Sequence, residues 1–271
     1  MFTFLISLSI TLGVVVGLGC TETTGWMGAS IWGVVAFFAS QFSVGMFFQK
    51  RVRRDMEAVQ GVMKEGQRQM QRLTDSWRLR PPSGMKQAQD ELFKLQKRCV
   101  EAALERSKSL ERYARWVPMM TRQIATLRLQ LYWMIKDFKK VDECMKRALF
   151  LDPMVSCLKI ARSYMVDPSA DQNAAFEKAV RRIAYGKSAL LFGLYSWILV
   201  QQGKIDEAHR ILIRGCEKND HQALKNNREN LANNRVAHFS NSGFGDEWYS
   251  LFLEEPKVKM QRRPQNFGRP F

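Results

Sequence analysis

The chain has 271 residues, 46% of them hydrophobic, and 42 Lys and Arg against 26 Asp and Glu give it a net charge of +16. This composition excludes collagen-like, disulfide-rich and wholly disordered chains and suits one or two folded units. The charge is unevenly placed: Glu22 is the only charged side chain before Lys50, so the rest carries +17 from 42 basic and 25 acidic residues. An apolar head precedes a basic body.

Within the head, residues 2–19 and 26–48 are two uncharged stretches separated by Cys20–Gly25. At a rise of about 1.5 Å per residue, each is expected to be long enough as a helix to cross a hydrocarbon core of about 30 Å. Residues 1–49 are therefore expected to form a two-helix transmembrane hairpin. A cleaved signal is the competing reading of the first stretch, and Gly17-Leu18-Gly19-Cys20 ends in a cysteine at the distance of a lipoprotein signal. Against it stand the absence of Lys and Arg from Met1–Phe4 and the second apolar stretch that follows at once. Gly25, Gly28, Gly33 and Gly45 are small enough to let two spans approach closely. Lys50, Arg51, Arg53 and Arg54 follow the second stretch directly, and basic residues beside a span are retained on the cytoplasmic side. Both termini are expected to be cytoplasmic, in a bacterial inner membrane.

Residues 50–84 read as a basic juxtamembrane helix and linker. Met56, Val59, Met63, Met70, Leu73 and Trp77 occupy the a and d places of three heptads, with Gly66 as the single gap. A repeat of 3.5 residues makes a narrow seam, so self-association through residues 56–77 is one expectation. The other is contact of Lys50, Arg51, Arg53 and Arg54 with anionic lipid head groups. Pro81-Pro82 ends this helix, because proline cannot continue the backbone ladder.

From Met85 the pattern is helical to Val117, where Pro118 interrupts it, and helix-like segments continue to Val236. Lys136–Pro153 reads KDFKKVDECMKRALFLDP, with Asp137-Phe138 at a turn, Ala148 at a small position and Leu151-Asp152-Pro153 closing a unit. Gly203-Lys204-Ile205-Asp206-Glu207-Ala208 repeats such a turn, and Gly215 stands at the later small position. These segments resemble tetratricopeptide repeats. The matches start near Arg122 and Ala189, 67 residues apart and close to two periods of about 34. A degenerate unit is expected between them, with Val155–Met165 and Asn173–Tyr185 as helices and residues 167–171 as the turn. Leu129 departs from the pattern, holding a position where a small residue is usual, whereas Ser196 suits it.

The resemblance implies an all-α fold in which residues 85–236 form a short helical solenoid, and a function in binding protein segments on the faces of the first helices. Tyr132, Lys136, Tyr164, Phe192 and Tyr195 are the candidate partner-binding residues. Residues 223–236 read as a polar cap. Residues 237–271 are a tail, with Trp248, Tyr249, Leu251 and Phe252 available to dock and residues 257–271 of disordered composition.

No motif for catalysis is present: there is no CxxC pair, phosphate-binding Gly-Lys loop or nucleophile elbow. His209, His221 and His238 lack metal-ligand spacing. The expectation is a non-enzymatic, cofactor-free membrane-anchored scaffold or adaptor for a protein partner. Its rival is a basic membrane-associated protein that binds RNA, motivated by the charge alone.

Overall fold

The computed structural model describes residues 2–20, 26–82 and 84–256, and among them the chain is all-helical with no strand. Most of the expected Cys20–Gly25 turn and all of the 257–271 tail segment lie outside the described residues. The chain divides into two compact units, Met1–Leu149 and Phe150–Phe271. The division falls inside the stretch expected to form one repeat domain.

In the first unit, α1 (Phe2–Cys20) packs on the apolar part of α2 (Trp26–Leu79). The contact is close because Gly33 has no side chain: a Cβ there would collide with Val15 and would lie 3.5 Å from the Thr11 methyl. The apolar stretch and the basic juxtamembrane helix, read separately from the sequence, are one continuous helix of 54 residues, about 81 Å long. Nothing at Gln49–Arg54 breaks the backbone ladder, and the helix stops at Leu79, ahead of Pro81-Pro82 as expected.

Helix α3 (Met85–Ser107) returns antiparallel to α2, and the heptad stripe faces it. Val59 is buried with Val100, Ala103, Leu110 and Tyr113, and Met56 and Met63 pack against that cluster. The Gly66 gap sits against Cys99, whose Sγ would lie 2.5 Å from a Cβ at that position. The first half of the seam expected at residues 56–77 is thus covered from within the same chain. Five residues connect α2 to α3, so closing this pair costs little chain entropy.

The helix expected to reach Val117 tightens at Ser107 into a 3-10 segment, Lys108–Tyr113. Ser107 is buried there, its hydroxyl donating to the Leu104 carbonyl and accepting from Arg128 Nε. Helices α4 (Met120–Met134) and α5 (Phe138–Met145) complete the unit.

The second unit comprises α6 (Pro153–Val166), α7 (Asn173–Arg182), α8 (Ala189–Gln201), α9 (Ile205–Lys218), α10 (Gln222–Ala232) and α11 (Asp246–Tyr249). Asp152-Pro153, expected to close a repeat, opens α6 instead. Asp152 Oδ1 accepts from the Met154 N–H at 2.7 Å and proline occupies the first turn. The turn expected at 167–171 is present, with Asp167 accepting from the Ser169 N–H and hydroxyl. Helix α8 is apolar on every side, and residues 190–199 are all buried. At 13 residues it is a core helix, shorter than a membrane span.

Helices α4, α6, α8 and α10 begin at residues 120, 153, 189 and 222, intervals of 33, 36 and 33. The turns after α4 and α8 share one backbone design. Lys136 N–H bonds to Trp133 O and Asp137 N–H to Tyr132 O; Gly203 N–H bonds to Val200 O and Lys204 N–H to Leu199 O. Both are Schellman ends with a left-handed residue, Lys136 at φ 57° and Gly203 at φ 76°. Asn234, at φ 52°, ends α10 in the same way. A Cβ on Gly203 would meet no atom, so Gly203→Ala isolates the backbone cost and is expected to destabilise the second unit by about 1 kcal/mol. Thermal unfolding beside Lys136→Gly, expected to move the first unit the opposite way, checks it.

Candidate membrane and partner surfaces

Among the described residues, one helix is long and apolar enough to cross a membrane, that of residues 30–77, whose apolar portion is the start of α2. Leu5, Leu8 and Leu12 of α1 and Ile31, Val34, Phe38 and Phe42 of α2 are all more than half exposed. A contiguous apolar surface of this kind marks an interaction site. Four hydroxyls of these helices are turned onto their own backbone: Ser9 donates to Leu5 O, Thr11 to Ser7 O, Ser40 to Phe37 O and Ser43 to Ala39 O. Polar groups satisfied internally are tolerated where no water can reach them.

The basic cluster follows at once. Lys50, Arg51, Arg53 and Arg54 are exposed. The Arg51 guanidinium lies 4.4 Å from the Phe47 ring centre, and Arg53 Nε donates to Glu57 at 3.0 Å. Asp55, on the same turn of helix, is buried and accepts from Arg112 Nη2 at 2.6 Å. Burial pushes the Asp55 carboxyl up, but hydrogen bonds from Arg112 and Tyr113 outweigh it and hold the group below its ordinary range.

The five expected partner-binding residues are placed unequally. In the first unit, half-buried Tyr132 lies under Lys140, whose Nζ is 5.1 Å from the ring centre, and Lys136 is exposed in the adjoining turn. Asp137 raises the pKa of Lys140 by a hydrogen bond and charge, with the Lys140 Nζ 3.3 Å from its carboxylate. Tyr132, Asp137 and Lys140 line a cleft of about 540 Å³ with Glu101, Glu105 and Arg128. The three α3 and α4 residues were missed from sequence, because no local pattern announces which face of α3 meets α4.

In the second unit, Tyr164 is half-buried, edge-on to Trp197 with ring centres 5.4 Å apart. Phe192 has no exposed surface and cannot be touched by a partner, so this candidate is corrected to a core residue. Its helix has no solvent face for periodicity to reveal. Tyr195 stacks on Phe176 at 4.3 Å and burial pushes its hydroxyl up to about 12. It forms the floor of a cleft of about 380 Å³ edged by Asp171, Lys204, Glu207 and Arg210.

Beside this cleft, Arg214 donates through both terminal nitrogens to Glu177, at 2.5 and 2.8 Å, with Phe176 and Phe192 below its guanidinium. Arg214 holds the Glu177 carboxyl below the ordinary value of 4.5. A lowered folded pKa means the pair stabilises fully above that ordinary value and is lost as the pH falls through the lowered one. Melting of the second unit is expected to drop on acidification below pH 4.5. Glu177→Gln should be less stable at neutral pH and show a shallower acid dependence.

Residues 239–254, read as tail, dock on this unit. Trp248 and Leu251 are fully buried, and Phe244 covers Gly193 with ring atoms 2.5 and 2.8 Å from where a Cβ would stand. Asn241 Nδ2 donates to Gly193 O at 2.8 Å and its Oδ1 accepts from Asn227. Asn227, read as part of a polar cap, is therefore a buried clamp.

Cys20, Cys99, Cys144, Cys157 and Cys216 are free, and burial raises the thiol pKa of Cys144, Cys157 and Cys216, which keeps them protonated and unreactive. Among the described residues no three His, Cys, Asp or Glu side chains are grouped to hold a metal ion. No family model, curated protein or solved structure matches the chain.

Proposed function

We propose that this protein is a membrane-anchored adaptor: α1 and the start of α2 form a transmembrane hairpin, and the helical body binds a protein partner at the cytoplasmic face. The observation that carries the anchor is the exposed apolar surface of these helices, which ends where Lys50, Arg51, Arg53 and Arg54 begin. Charges confined to one end of a span are what retention on the cytoplasmic side requires. The same four residues are positioned to meet anionic head groups.

The adaptor reading is supported by the near-regular starts of α4, α6, α8 and α10 and by the matched turns at Lys136 and Gly203. Such recurrence, with the tetratricopeptide-like sequence, favours a repeat whose exposed faces recognise peptide segments. In the first unit half-buried Tyr132 offers an aromatic ring beside Lys136 and Lys140, and separately, in the second, Lys204 and Arg210 share a cleft edge with Asp171 and Glu207 above the buried Tyr195. Clefts of mixed charge beside apolar surface suit a segment carrying side chains of both signs and apolar ones.

The test is in intact cells. A photoreactive residue replacing Lys136 or Lys204 in the full-length chain should capture the same nuclease-resistant protein, from a membrane fraction that resists alkaline extraction. Capture abolished by nuclease would move the body to RNA binding, and extraction by alkali would remove the hairpin.

A further inference from the structure

The first unit brings a second segment, far from the span in sequence, to the end of the apolar surface. Position along α2 falls as position along α3 and its 3-10 extension rises: Cys99 meets Gly66, Arg112 meets Asp55, and Trp116 meets Phe48. Trp116 stacks on Phe48 with centres 5.1 Å apart and planes at 20°, and Tyr113 meets the same ring edge-on at 6.5 Å. Phe48 is the last residue of the uncharged stretch, immediately before Gln49 and Lys50. The turn Ala114–Met119 is therefore held level with the point where the chain changes from apolar to basic.

The composition of this turn suits that level. Arg115-Trp116-Val117-Pro118-Met119 combines one cation with four apolar residues, and Arg112 stands one turn before it. Met119 is 61% exposed and Pro118 is also exposed. Met119 adopts φ 62° as it caps α4, an uncommon conformation for a residue other than glycine. An amphipathic segment of aromatic, apolar and basic residues finds its lowest free energy at the boundary between head groups and acyl chains.

We infer that the turn Ala114–Met119 is a second membrane contact, in which exposed Pro118 and Met119, with half-buried Trp116 behind them, enter the interface of an anionic bilayer while Arg115 lies among the phosphates; Val117 packs on the core of the unit and Arg112 on Asp55. This rests on the transmembrane reading of the hairpin. Its consequence is orientation: the hairpin alone leaves the body free to tilt against the bilayer, whereas a contact to one side of α2 limits that tilt and brings the α3–α4 connection to the membrane.

The test uses the full-length protein carrying one fluorescent amino acid at position 34, 85 or 119, reconstituted in vesicles of phosphatidylcholine and phosphatidylglycerol with brominated or plain acyl chains. Val34 reports the span, and Met85 opens α3 at its opposite end, about 45 Å from the turn. The expected result is loss of fluorescence in brominated lipid at 34 and 119 but not at 85. Quenching at 34 without quenching at 119 overturns this inference and leaves the anchor standing. Absence of quenching at 34 overturns the anchor and the inference with it. Quenching at all three positions overturns the inference too, because the first unit would then lie along the bilayer rather than touch it at one turn.

Discussion

Trp248→Ala is expected to destabilise the second unit by about 3–5 kcal/mol, the range for removing a fully buried large aromatic side chain. Trp248 is completely enclosed, and its ring packs edge-to-face on Trp197 of α8 with centres 5.6 Å apart. Its indole N–H donates to one oxygen of Glu254 at 2.8 Å, and the Trp197 indole donates to the other at 2.6 Å. Truncation would leave a cavity beside α8 and remove one of the two indole donors of that carboxylate. Trp248→Phe keeps most of the volume and loses the hydrogen bond to the carboxylate, so a cost of about 1.5–3 kcal/mol is expected. Hydrogen exchange on the full-length protein reads the outcome locally: protection should fall across α8 and residues 241–251 and stay unchanged in α3. If Trp248→Ala leaves α8 as protected as before, the docking of residues 239–254 contributes nothing to this unit.

Gly66→Leu has two opposite expectations, which makes it informative. In a self-associating heptad seam, leucine would fill the one gap, strengthening the coil and raising the oligomeric state. In the structure the gap is occupied by Cys99, and even a Cβ would stand 2.5 Å from its sulfur and 2.8 Å from its Cβ. Leucine must therefore force α2 and α3 apart, at a cost of about 1–3 kcal/mol or more. The expected result is a lower melting temperature in detergent with no gain in oligomeric mass. Gly66→Ala should cost less, because both variants recover up to about 1 kcal/mol of helix propensity but alanine adds a single methyl against Cys99, and Cys99→Ala should relieve part of the clash in the double variant. Stabilisation of Gly66→Leu together with a larger assembly would show that residues 56–77 pair between chains.

Much of the molecule was readable from one sequence because some signals are local. Pro81-Pro82 stops α2 wherever the helix packs, since the missing N–H and ring clash are properties of the residue itself. Gly203 reads as a turn because a left-handed backbone favours glycine. The Asp167–Asp171 turn is closed by its own side chains. The apolar head and the basic residues that follow it are likewise a matter of order along the chain. These features determined the all-helical class, the helix ends and the position of the apolar stretches.

Which surface met which was decided only in three dimensions. A heptad stripe states that a helix has a partner but not whose, and the partner of Val59 and Gly66 is α3, reached through a short linker. Phe192 and Tyr195 lie on a helix apolar all round, and both are buried, so no periodicity could separate the ring with no exposed surface from the one beneath a cleft. Asn227 reads as surface from its polar neighbours, yet it is enclosed with Asn241 against the backbone of Gly193. Hydrophobic and polar patterning along a helix reports that a face is covered; the identity of the cover depends on residues tens of positions away, and that information exists only once the helices have packed.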